Sequence, residues 1–142
     1  MGNLTPSLAA ETEALKEAYA AFNRNDFLAF GQIFDPQIEW IELVEFPGGG
    51  TYRGRDVVLA HLAKSRQMWA EGSCQPQRII IAGDRIIQFV HVHVRLKHET
   101  EWREGQVSEV YTFRDGKVIQ VRIFADSRQA LEWAGVKASD AS

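Results

Sequence analysis

The chain has 142 residues, 45% of them hydrophobic and 25% charged, which suits one domain with a sizeable core and leaves no room for two ordinary ones. Sixteen basic against nineteen acidic side chains give a formal charge of -3, without the clustered cations that nucleic-acid binding needs, so no nucleic-acid partner is expected. The single cysteine, Cys74, excludes an intramolecular disulfide framework and a Cys-rich zinc site.

Leu8, Leu15, Ala18, Tyr19 and Phe22 recur at helical spacing and predict a first helix, broken at Asn23-Arg24-Asn25-Asp26. Asp26 is placed to cap a short second helix whose one face carries Phe27, Phe30 and Phe34, and Asp35-Pro36 stops it. A strand follows from about Ile38 to Phe46, with Ile38, Trp40, Glu42 and Val44 on one face. Pro47 to Gly50 reads as a loop, without the Lys-Ser/Thr of a phosphate loop. Gly54-Arg55-Asp56 opens a third helix in which Val58, Leu62, Ser65 and Trp69 share a side. From Gln75 the signal is β, over Arg78–Ala82, Ile86–Lys97, Gln106–Phe113 and Val118–Ala125, with turn chemistry at Gly83-Asp84 and Asp115-Gly116. Ser127 to Val136 reads as a short helix or an irregular lid. About three N-terminal helices ahead of consecutive strands give an α+β class, with the helices on one face of a strongly curved, mostly antiparallel sheet. No apolar run approaches the roughly 18 residues of a membrane span. Met1–Glu11 lacks the cationic start and apolar run of a signal peptide, so a cytoplasmic protein with no membrane partner is expected.

Four stretches carry a family resemblance. They are Ala20–Asp26, Phe34–Trp40, Tyr52–Val58 and Tyr111–Val118. In this order they resemble the SnoaL-like, ketosteroid-isomerase-like branch of the NTF2-like superfamily. The similarity covers about residues 10–130, so residues 1–142 are expected to form one such domain. The resemblance implies a cone in which sheet and helices enclose an apolar pocket, often in a homodimer joined through the outer sheet face. It also implies a small apolar or polycyclic ligand and no cofactor.

By the same resemblance, Glu42 falls where ketosteroid isomerases carry the carboxylate base, counting from Asp26 without gaps. Glu109, counted back from Phe113, falls where they carry a protonated carboxylic acid that hydrogen-bonds the developing oxyanion. Independently of the analogy, a dry pocket raises a carboxyl pKa and a second carboxylate raises one of the pair further, so an acid and a base can coexist near neutral pH. The isomerase tyrosines would fall at Ala18, Phe34 and Leu62, none of which bears a hydroxyl. Tyr19 lies one position away, about 100° around the helix, and reads as a poor substitute.

His91 and His93 share one face of the long strand with Phe89 and Arg95, and the sequence leaves open whether that face is inner or outer. Facing inward, they would serve as acid or base. His61 falls at a pocket-lining position by the resemblance and is a further acid/base candidate. His91-Val92-His93 with Glu99 and Gly105 is also similar to the first cupin motif, but no second motif supplies the remaining ligand, and no metal is assigned. Tyr19, Trp40, Val58, Leu62, Trp69, Tyr111, Phe113 and Ile123 are the candidate substrate-binding residues, with Trp69 placed at the pocket mouth. Two readings stay open: a cofactor-independent isomerase or cyclase using Glu42 and Glu109, or a non-catalytic ligand-binding or dimerisation module of the same fold.

Overall fold

A computed structural model describes residues 8–45 and 49–136. The first helix, α1, runs Ala9–Asn23 and buries Leu15, Ala18 and Tyr19, as the apolar spacing requires. Its last carbonyls find donors from two directions. Arg24 N–H bonds Ala20 O, and the Arg66 guanidinium reaches across to donate to Phe22 O at 2.8 Å and Asn23 O at 3.1 Å. Asp26 then caps α2, Phe27–Phe30, its carboxylate accepting from Ala29 N–H at 3.1 Å. A 3-10 turn at Gly31–Ile33 leads directly into the first strand.

Six strands form one sheet in the order β2-β1-β6-β5-β4-β3. They are β1 Phe34–Glu42, β2 Gly50–Arg53, β3 Trp69–Ala82, β4 Arg85–Leu96, β5 Arg103–Arg114 and β6 Lys117–Phe124. Only the β1–β6 pair is parallel. Helix α3, Arg55–Gln67, lies between β2 and β3, and α4, Ser127–Ala134, ends the described chain. Two-residue turns at Gly83-Asp84 and Asp115-Gly116 close the hairpins; Asp115 and Gly116 both have positive φ, the primed geometry that matches strand twist. No described helix is long and apolar enough to cross a membrane.

Several boundaries differ from the sequence reading. Strand β1 starts at Phe34 and takes in Asp35-Pro36, because its register with β6 breaks between Phe34 and Glu39 and leaves room for a residue without an N–H. It ends at Glu42, so Val44 lies beyond it, 81% exposed; Phe46 and part of the expected Pro47–Gly50 loop fall outside the described residues. The short β2 was not foreseen. Trp69 does not close α3 but opens β3, which starts six residues before Gln75 and is bulged at Trp69/Glu71 and Pro76/Arg78. Gly72 serves the first bulge: its φ is +126°, and a Cβ there would collide with the backbone of His93 and Val94.

The inner face of the sheet packs on α1, α2 and α3. Ile38, Trp40, Ile86, Val90, Tyr111 and Val121 are its buried core, joined to Leu15, Phe30, Val58 and Leu62 from the helices. The three N-terminal helices lie on one face, as expected, and the outer face carries the C-terminal helix. Ala130, Leu131 and Trp133 of α4 cover Ile87, Val110 and Phe124 there in a second cluster. Arg85 and Arg122 flank the Trp133 ring, at 4.4 and 5.4 Å from its centroid.

Candidate functional site

Strand alternation and the register of neighbours decide which polar groups face inward. Glu109 pairs with Gln88 on β4 and Ile123 on β6, and directly opposed residues share a face. Glu109 is 5% exposed and Gln88 fully buried. Tyr111, two residues along β5, points the same way. Its hydroxyl donates to Glu109 Oε1 at 2.8 Å, and Gln88 Nε2 donates to the same oxygen at 3.2 Å. From α1, the Tyr19 hydroxyl donates to Glu109 Oε2 at 3.0 Å. Burial pushes the Glu109 carboxyl above the ordinary carboxylate value; the three donors oppose this and the Glu42 charge adds to it, with burial prevailing. Tyr19 and Tyr111 are held well above the usual phenol value by burial and by the neighbouring Glu109 charge.

A second polar group sits at the end of β1. Trp40 Nε1–H donates to Glu42 Oε2 at 2.7 Å, and His61 Nε2 of α3 lies 2.9 Å from the same oxygen. The His61 and Glu42 side chains are only 8% and 13% exposed. Tyr52 of β2 stacks on the His61 ring, centroids 3.8 Å apart and planes 14° from parallel, fixing its direction. Glu42 is thus held by a histidine and an indole, with no guanidinium on either carboxyl among the described contacts. The unforeseen β2 therefore has a local task, since it supplies the platform for His61.

Cys74 also faces inward, opposite Val92. Asn23 holds its backbone from both sides, donating to Cys74 O at 2.8 Å and accepting from Cys74 N–H at 3.2 Å. Burial, then the Glu109 charge, push its thiol up to about 12.

The eight candidate substrate-binding residues gather in this interior: Tyr19, Trp40, Val58, Leu62, Tyr111, Phe113 and Ile123 are buried in the inner core, and Trp69 packs against it. Trp69 does so from β3, with Phe22 edge-on and Arg66 over its ring at 4.7 Å. The three candidate groups Glu42, Glu109 and His61 face the same side.

His91 and His93 do not join them. Val90, Val92 and Val94 take the inner face of β4, which leaves both histidines on the outer face. His91 pairs with Glu104 at 2.9 Å, and His93 stacks on Trp102 at 4.4 Å. They are about a sheet's thickness from the carboxylates, so the inward acid/base role considered for them is not supplied by this geometry. Among the described residues no group of three or more His, Cys, Asp or Glu could hold a metal ion.

Two partners of Glu109 were not given that role in the sequence reading, although Tyr19 stood among the substrate-binding candidates. Tyr19 is the hydroxyl donor that Ala18 could not be; counting positions along α1 placed it a step out of phase, whereas the helix presents Tyr19, not Ala18, to Glu109. Gln88 carried a signal that was passed over. A lone amide inside the apolar run Ile86-Ile87-Gln88-Phe89-Val90 calls for a polar partner in the core.

A curved, mostly antiparallel sheet wrapped on three helices, with polar groups gathered on its inner face, is the NTF2-like fold in its SnoaL-like form. Residues 15–121 match the SnoaL-like domain family, and the chain belongs to it. Solved structures agree. An NTF2-like protein of unknown function from Burkholderia pseudomallei K96243 superposes with a TM-score of 0.75 at 21% identity, over 87% of this chain and 96% of that one. TerC, co-crystallized with polyporic acid, gives 0.74 at 22% identity over 89% and 99%. A protein with a ketosteroid isomerase-like fold from Catenulispora acidiphila DSM 44928, in complex with trimethylamine, gives 0.71 at 16% identity over 89% and 95%. No curated protein matches this chain.

Proposed function

We propose that this protein is an isomerase or aldol-type cyclase acting on a small, largely apolar carbonyl compound by proton transfer, with Glu42 as base. The observation that carries the reading is the Glu42 environment. His61 and Trp40 both bind Oε2, which leaves Oε1 as the oxygen to meet a carbon acid α to the carbonyl. A protonated Glu109 carboxyl, its two oxygens held by the Tyr19 and Tyr111 hydroxyls, is the donor for the oxygen on which charge develops. Each acid is a glutamate where the isomerases it resembles have aspartate, so each carboxyl reaches about one methylene further from its strand and the substrate sits correspondingly further from the backbone. The fold is shared with proteins solved with polyporic acid and with trimethylamine, which supports a small-molecule ligand.

A second reading has its own observation. Glu109 accepts from three protein donors at once, as a structural polar core or a purely ligand-binding interior would also arrange it. The two readings part on turnover. Incubating the protein in D2O with cyclic 1,3-diones and β,γ-unsaturated ketones, followed by proton NMR, should show saturable exchange or isomerisation above the buffer rate. Binding of those compounds without any exchange would replace the enzyme reading by the binding one. We further propose a homodimer joined through the outer sheet beside His91, His93 and Trp102; sedimentation at a single monomer mass would exclude it.

A further inference from the structure

Outside the interior, two cations stand without a counter-ion. Lys64, in the last turn of α3, and Lys97, directly after β4, make no ion pair among the described residues, although the chain carries nineteen acids to sixteen bases. Both line one cleft of about 540 Å³, within the range of about 300–1,000 Å³ usual for small-molecule sites. Lys97 N–H donates to Met68 O at 2.9 Å, which pins the start of the β4–β5 loop to the α3–β3 junction and brings the two lysines to the same opening. Met68 and Leu96 are the apolar lining, and Met68 is 44% exposed. Gln67 and His98 add further N–H donors. Glu99 is the one acid in the lining, and Arg103 closes it with hydrogen bonds at 2.9 and 2.6 Å. The carbonyl end of α3 is also here, offset by Lys64 and Arg66 in its last turn.

We propose that this cleft binds a small amphiphilic carboxylate, a medium-chain fatty acid in class. Its carboxylate accepts from the Lys64 and Lys97 ammonium groups, and its alkyl chain covers Met68 and Leu96. Charge selects the head group. With Glu99 already paired, an anion meets two free ammonium groups, whereas an ammonium-headed amphiphile is repelled. The apolar lining selects the body. Acetate or inorganic phosphate would leave Met68 open to water, and its flexible thioether adapts to an alkyl chain. Lys64, Lys97 and Met68 are all exposed, so a ligand reaches them without any opening of the fold. The inference does not require Glu42 to be a base.

The chain has two methionines, Met1 and Met68, so methyl-¹³C methionine labelling of the full chain reads the cleft through one resonance. Titration with octanoate should shift the Met68 methyl saturably, below the concentration at which octanoate aggregates. 1-Octanol and octyltrimethylammonium should each bind about fivefold or more weakly. The double variant Lys64→Gln/Lys97→Gln should lose octanoate affinity by a similar factor, the worth of two exposed ion pairs. Glu42→Gln should bind octanoate as the wild type does, which separates this site from the proposed catalysis. Equal affinity for octanoate and 1-octanol, an unaffected double variant, a Met68 shift that does not saturate, or weakened binding in Glu42→Gln would overturn the proposal.

Discussion

Tyr111→Phe removes one buried oxygen and nothing else. The ring is fully buried and the hydroxyl lies 2.8 Å from Glu109 Oε1. After its loss Oε1 keeps Gln88 and Oε2 keeps Tyr19, so the carboxyl is weakened in its support without being orphaned. A hydrogen bond to a neutral carboxyl contributes about 0.5–1.5 kcal/mol, and one to an ionised carboxylate about 1.5–3 kcal/mol. The cost of the substitution therefore depends on pH. The folded pKa of Glu109 lies above its unfolded value, so in the window between the two the folded state binds more protons, and its stability declines as pH rises. Removing a donor to the charged form raises the folded pKa further and deepens that decline. Urea denaturation of both proteins from pH 4 to pH 9 should give a small difference at pH 4 that grows with pH. At the alkaline end it corresponds to a melting-temperature loss of about 5–12 °C. Groups far from Glu109 contribute equally to both proteins and cancel. A difference that is constant with pH, or that shrinks as pH rises, would refute this account of the cluster.

Other consequences are open to simple assays. Arg66→Ala removes two hydrogen bonds to the end of α1 and the stacking of the guanidinium on Phe22 and Trp69; chemical denaturation should show a loss of about 2–3 kcal/mol, and a change under 0.5 kcal/mol would contradict the capping role. Cys74, buried with its thiol pushed up to about 12, should react with a disulfide reagent at pH 8 only after unfolding; rapid labelling of the native chain would show an open interior. Gly72→Ala should lower the melting temperature sharply, because both its positive φ and its contact with the β4 backbone exclude a side chain.

The two carboxyls were legible in the sequence because strands advance one residue per side: once Asp26 and Phe113 were aligned, Glu42 and Glu109 had to fall on definite faces. Helix phase is less forgiving. A shift of one residue rotates a side chain by about 100°, and for that reason Tyr19 was discounted although it bonds Glu109. The orientation of His91 and His93 was hidden for a different reason. Helix α4 partly covers the outer face and buries Ile87 and Val110 there, so β4 carries apolar residues on both sides and its alternation does not name the inner one. Trp69 and the early start of β3 were obscured by bulges that break the period of two, and Gly72 was the available sign of them.

The central claim is that Glu42 moves the proton, held by His61 and Trp40. The most direct measurement is the exchange rate of a responsive diketone in D2O with wild-type protein and with Glu42→Gln, alongside ligand affinity and melting temperature. The account predicts a rate at least about 100-fold lower in the variant, with binding and melting temperature close to wild type. An unchanged rate in a folded Glu42→Gln protein would contradict it.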